Sequence, residues 1–144
     1  MHDGETSCLT GRRVVVIDDN PDDLALMIFF LRRAGVTCSE AVDGRSGLGL
    51  VVDPRVDSPA DAVVCDLEMP GIDGIETTRA IRDAGYDGPV IAVSGSANEA
   101  KFDEWLNSGC DTFLEKPLDG PGFVKVVTEA VERAGLRRGD REGV

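Results

Sequence analysis

Five short apolar runs, each ending in a polar residue or turn signal and each followed by a helical stretch, leave this chain few ways to fold. The runs are Val14–Ile17, Val36–Ala41, Ala62–Cys65 leading to Asp66, Pro89–Val93 and Thr112–Glu115. The first and third are too short for helices and too apolar for surface hairpins, as expected of strands buried on both faces. Helices are predicted from Pro21 to about Ala34, Arg45 to Val52, Gly74 to Ala84, Ala97 to Asn107 and Pro121 to Ala134. Asn20 is a good N-cap with Pro21 at the first helical position, Asp119 caps the last helix, and Gly35 and Gly85 stand as C-terminal stops. Strands that alternate with helical crossovers make a parallel sheet, so the fold class is α/β. The expected architecture is a doubly wound (βα)5 sandwich with strand order 2-1-3-4-5.

The 144 residues suffice for one domain with a single core. Residues 1–11 read as a flexible N-terminus, 12–134 as the folded domain, and 135–144 as a flexible tail or the start of a linker. A net charge of −12 argues against general affinity for nucleic acid or anionic membrane. Cys8, Cys38, Cys65 and Cys110 form no CxxC pair, and the only histidine is His2, so no thiolate or imidazole metal site is expected. Cys38 and Cys65 fall on strands and read as small buried hydrophobes in a reduced, cytoplasmic setting. No run is long enough for a signal peptide or a membrane span.

Chemistry gathers at the strand ends. Asp18 and Asp19 follow the first strand and Asp66 follows the third, the two strands that flank the switch point of a 2-1-3-4-5 sheet. Three carboxylates that close repel one another unless a cation joins them, and an all-oxygen set suits a hard divalent ion, Mg²⁺ (or Mn²⁺). An Asp-Asp pair alone is more often a helix cap with a spare acid. The third acid, with Ser94 and Lys116 at two further strand ends, favours a site instead.

The stretches Val14-Val-Val-Ile-Asp18-Asp19-Asn20-Pro21, Cys65-Asp66-Leu-Glu-Met-Pro70-Gly71-Ile-Asp-Gly74, Ile91-Ala-Val-Ser94-Gly95 and Phe113-Leu-Glu-Lys116-Pro117 together resemble the receiver domain of two-component response regulators. The likeness covers about residues 12 to 134 and implies a flavodoxin-like fold. It implies a phosphorylatable signalling switch rather than an enzyme with a separate substrate. Asp66 is then the phosphoacceptor, and Asp18, Asp19 and Asp66 hold Mg²⁺ with the backbone carbonyl of Glu68. Ser94 and Lys116 bind the phosphoryl group, Phe113 is the aromatic that changes rotamer, and Lys116-Pro117 is a cis peptide. Glu68 and Ser96 stand where the family tunes the lifetime of the phosphoryl group, and the Glu68 side chain is expected near the metal and the attacking water. The implied partners are a histidine kinase or histidine phosphotransfer protein and an output domain or protein. The output surface is the fourth helix, fifth strand and fifth helix.

The first helix carries more apolar residues than one buried face needs, so Leu26, Phe29 or Phe30 is expected to face a phosphodonor protein, a neighbouring domain or a second copy of the chain. Trp105 is a further candidate contact. Two other classes deserve comparison. A phosphohydrolase with an aspartate nucleophile is suggested faintly by Asp66-Leu67-Glu68, but its nucleophile belongs after the first strand and it needs a cap. A flavodoxin-like cofactor binder would want a hydroxyl-rich phosphate loop where Asp18 and Asp19 stand.

Overall fold

The computed structural model describes residues 9–53, 55, 59–69, 73–95 and 99–142, the side chains of 99–102 and 136–142 excepted. Its elements alternate in chain order: β1 (Arg13–Ile17), α1 (Pro21–Arg33), β2 (Thr37–Ala41), α2 (Gly44–Val51), β3 (Ala62–Asp66), α3 (Gly74–Asp83), β4 (Val90–Ser94), α4 (Glu99–Asn107), β5 (Thr112–Glu115) and α5 (Gly120–Glu142). The sheet is parallel throughout, with order β2-β1-β3-β4-β5, as the sequence predicts.

Side chains alternate across the sheet. Val14 and Val16 face one core, with Met27 and Leu31 of α1 and Phe123 and Val127 of α5. Val15 and Ile17 face the other, with Val51 of α2, Ile75 and Ile81 of α3, and Trp105 of α4. With both faces of the central strands covered, burial of apolar area at roughly 25 cal/mol per Å² is the main force holding the layers together.

Capping follows the sequence signals. Asn20 accepts from the backbone N–H groups of Asp22 and Asp23, and Asp119 accepts from the N–H of Gly122. Most element ends fall within two residues of those expected. The fifth helix is the exception, since it runs to Glu142 rather than stopping at Ala134. Gly135 and Gly139 each cost about 1 kcal/mol relative to alanine, but a helix already nucleated on the core propagates through such residues. Cys65 is buried as expected, whereas Cys38 is only half-buried, because β2 is an edge strand. Cys8 lies outside the described residues.

Glycine matters most where α5 meets α1. A Cβ on Gly120 would overlap the Phe30 ring, so that aromatic can lie flat on the start of the last helix. The first and last helices thereby close over the same core.

Candidate functional site

The strand order brings the carboxyl ends of β1, β3, β4 and β5 to one rim, and polar side chains project there. Asp18 follows β1 directly and is fully buried. One of its oxygens accepts the N–H of Asn20 (2.9 Å) and the other the ammonium of Lys116 (2.9 Å). Asp66 is the last residue of β3, 3% exposed, and accepts the N–H of Glu68 through Oδ1 (3.0 Å). Gly74, at the start of α3, lies against the Asp66 carbonyl so closely that a Cβ there would overlap it. Lys116 reaches in from the end of β5, its Nζ 3.5 Å from Asp66 Oδ2. The Lys116–Pro117 bond is cis, as the resemblance implies.

Asp18, Asp19 and Asp66 each offer an oxygen, and these oxygens lie within 4.8 Å of one another. Asp18 and Asp66 are buried while Asp19 is exposed at the mouth. This all-oxygen donor set, open to water on one side, fits a hard divalent cation that keeps part of its hydration shell. The cleft is lined by Asp19, Asp23, Asp66, Glu68, Gly95 and Lys116 among others.

The electrostatics follow from that crowding. Burial pushes the Asp66 carboxyl up to about 6; the Glu68 N–H draws it back, the nearby Asp18 raises it further, and the Lys116 charge lowers it. For Lys116, burial works to lower the pKa. The hydrogen bonds to Asp23 and Asp18 and the charge of Asp66 outweigh it, and the ammonium is held well above the ordinary lysine value.

Of the residues singled out in the sequence, Asp18, Asp19, Asp66, Glu68, Ser94 and Lys116 all come to this rim. Ser96 lies outside the described residues. Two features were not anticipated. Asp23, one turn into α1, accepts from Lys116 Nζ at 2.9 Å; the sequence marks it only as an acid in a helix's first turn. The Glu68 side chain turns to β4, where Oε1 accepts the Ser94 hydroxyl (2.9 Å) and the Gly95 N–H (2.6 Å). The sequence does not indicate this pairing of the Glu68 carboxylate with two donors of β4.

Among the contact candidates, Phe29 is 54% exposed, with the Arg33 guanidinium over its ring and Phe30 edge-on at 5.7 Å. Phe30 is half-buried against Gly120, so it does not present a free face. Trp105 is not a surface residue either. It is 3% exposed and stacks on Phe113 at 4.8 Å, because α4 turns that side toward the sheet. Among the described side chains of that helix, the exposed large apolar one is Leu106.

The family model described as "Response regulator receiver domain" matches residues 14–128. The transcriptional regulatory protein PrrA of Mycobacterium tuberculosis is 35% identical over 130 residues, 90% of this chain and 52% of that protein. The sensor histidine kinase RcsC of Escherichia coli is 32% identical over 120 residues, 83% of this chain and 12% of that protein. The chain thus spans about half the length of the regulators it matches. Among solved structures, the receiver domain of the histidine kinase CKI1 from Arabidopsis thaliana, complexed with Mg²⁺ and BeF₃⁻, aligns with TM-score 0.73 and 32% identity over 84% of this chain and 91% of that one. The chemotaxis protein CheY4 of Vibrio cholerae shares the fold, with TM-score 0.75 and 23% identity over 83% of this chain and 98% of that one.

Proposed function

This chain belongs to the response regulator receiver domain family of two-component signalling, and from that premise we propose that Asp66 accepts a phosphoryl group from a phosphohistidine donor. The donor is a histidine kinase or histidine phosphotransfer protein. A carboxylate oxygen of Asp66 attacks phosphorus in line, the P–N bond to the donor imidazole breaks, and an acyl phosphate forms. The observation that carries this reading is the meeting of Asp66 with Lys116 at 3.5 Å, at the rim where Ser94 ends the neighbouring strand.

Mg²⁺ (or Mn²⁺), held by Asp18, Asp19, Asp66 and the backbone carbonyl of Glu68, would neutralise charge on the reacting oxygens. The chain's own groups supply the rest. The Lys116 ammonium balances a second phosphoryl oxygen, and the Ser94 hydroxyl with the Gly95 N–H serves a third. The new group brings roughly −1.5 to −2 charges to a buried edge. Ser94 moves toward it, Phe113 changes rotamer, and the surface formed by α4, β5 and α5 is remodelled for an output domain or protein. Trp105, stacked on Phe113, is on hand to carry that movement into α4. The exposed Phe29 face of α1 is the proposed docking surface for the phosphodonor, with a homodimer as the other occupant. Turnover is confined to the domain's own phosphorylation and dephosphorylation, a regulatory role in the cytoplasm. Ser96 and Glu68 are the positions proposed to set how long the phosphoryl group lasts.

The test is incubation with acetyl phosphate and Mg²⁺ followed by intact mass. The wild type should gain about 80 Da, one phosphoryl group, and Asp66→Asn should not. An equal gain on both proteins would remove Asp66 from the role.

A further inference from the structure

We propose that the Glu68 carboxylate is an internal occupant of the phosphoryl-binding donors, so that Asp66 is phosphorylated only as Glu68 releases Ser94 and Gly95. The inference rests on the reading of Asp66 as phosphoacceptor and adds a gate to it.

The Glu68 backbone is tied to the acceptor, its N–H donating to Asp66 Oδ1 at 3.0 Å. From that anchor the side chain crosses to the end of β4. There a single oxygen, Oε1, takes both the hydroxyl of Ser94 (2.9 Å) and the N–H of Gly95 (2.6 Å). A hydroxyl and a backbone N–H converging on one oxygen form an oxyanion pocket. Ser94 is fully buried, so its hydroxyl is shielded from bulk water where it bonds Glu68. Glu68 itself is an exposed residue, yet its carboxylate is held against the end of β4.

A carboxylate oxygen and a phosphoryl oxygen make the same demand, two hydrogen-bond donors for a negative charge. Both anions cannot hold the same donors, and side by side they repel. The other donor of the cleft is similarly engaged: Lys116 bonds Asp18 and Asp23 at 2.9 Å each, closer than its 3.5 Å to Asp66. In the unphosphorylated chain, the groups suited to a phosphoryl group are thus held by carboxylates of the protein. Glu68 is the one of these carboxylates that occupies the hydroxyl and amide.

If Glu68 served mainly to hold a metal, removing it would weaken everything that binds through the metal. A competitor gives the opposite sign. The experiment titrates the full chain with beryllofluoride at saturating Mg²⁺ and follows acetyl phosphate labelling of Asp66 in parallel. Glu68→Ala should bind beryllofluoride at least about tenfold more tightly than wild type and label faster, with Glu68→Gln between them, since charge-assisted bonds to an anion are lost stepwise. In metal-free protein the Gly95 amide proton should lie far downfield in wild type and move upfield in Glu68→Ala.

Unchanged or weaker beryllofluoride binding in both variants overturns the gate, and so does a Gly95 resonance that ignores the substitution. The two readings separate cleanly. If wild type labels at Asp66 and the variants do no better, the gate alone falls. If neither wild type nor variant labels, the phosphoacceptor reading falls and takes the gate with it. If only the variants label, the gate is upheld in its strongest form.

Discussion

The two rims of the sheet use the same residue types for opposite ends. At the amino rim, two acids are each matched by a guanidinium. Asp61 pairs with Arg12 (3.3 Å) and caps the first N–H of β1 (2.9 Å). Asp111 pairs with Arg82 (2.8 Å) and caps the first N–H of β4 (2.9 Å). Each acid comes just before a strand and satisfies the neighbouring strand's leading donor as well as a guanidinium. At the carboxyl rim the balance fails: Asp18, Asp19, Asp23 and Asp66 gather near Lys116, the one cation lining the cleft among the described residues. Neutralised charge marks a rim that holds the fold together, and surplus charge marks one that waits for a cation.

Lys116→Met breaks the contrast most severely. It should lower the rate of Asp66 labelling by acetyl phosphate about 100-fold or more, the usual cost of deleting one preorganised electrostatic donor. A rate within a few-fold of wild type would mean that the carboxyl rim does not depend on its cation. Arg82→Ala is the counterpart at the amino rim. Its guanidinium donates to the carbonyls of Gly109, Tyr86 and Gly88 as well as to Asp111, and three carbonyls lose their partner on truncation. The expected loss is about 2 to 3 kcal/mol in urea unfolding, with labelling of the folded protein unchanged.

That contrast also shows what a sequence can disclose. The strands, their order, the Asn20 cap and the three aspartates depend on local pattern and general crossover rules, and each was legible. Pairings between distant residues were not. Asp23 sits 93 residues from Lys116, and nothing in the first turn of α1 distinguishes a dipole-compensating acid from one that holds a lysine. Glu68 reads from the sequence as an acid near the metal, and its bond to Ser94 depends on the placement of β4 beside β3. Trp105 reads from the sequence as a candidate contact, because spacing alone does not say which side of α4 faces the sheet. The Trp105 side does, against Phe113. The use of Gly120 depends on Phe30, 90 residues away in the chain, lying against it.

A smaller effect sharpens the comparison through pH. Burial raises the Asp66 carboxyl from its ordinary 3.8 to about 6, so the folded chain binds this proton more tightly than the unfolded one. The sign follows from linkage: this stabilising contribution is complete below about pH 4 and is lost as pH rises toward and through 6. In metal-free buffer, Asp66→Asn should therefore be more stable than wild type at pH 7 to 8. The difference should be about 1 kcal/mol once screening by water in the open cleft is allowed for, and should vanish near pH 4. Adding Mg²⁺ at ten times its dissociation constant should stabilise wild type by about 1.4 kcal/mol and Asp66→Asn by less. An Asn variant no more stable than wild type at pH 8 would show that the carboxyl rim carries no uncompensated repulsion.

The least stability change is expected on α1, where docking surface and core part company. Phe29 is 54% exposed, whereas Phe30, its neighbour, supports the α5 contact through Gly120. Phe29→Ser should leave unfolding within about 0.5 kcal/mol of wild type, while Phe30→Ser should cost more, since it opens a gap between the first and last helices. The pair also separates two uses of one apolar helix. If the outer face receives a phosphodonor, Phe29→Ser should slow transfer from a phosphohistidine protein but not from acetyl phosphate, which needs no docking surface. Equal slowing with both donors would place the defect in the site. No slowing with either, joined to a monomer–dimer equilibrium that shifts toward monomer, would assign the face to a second copy of this chain.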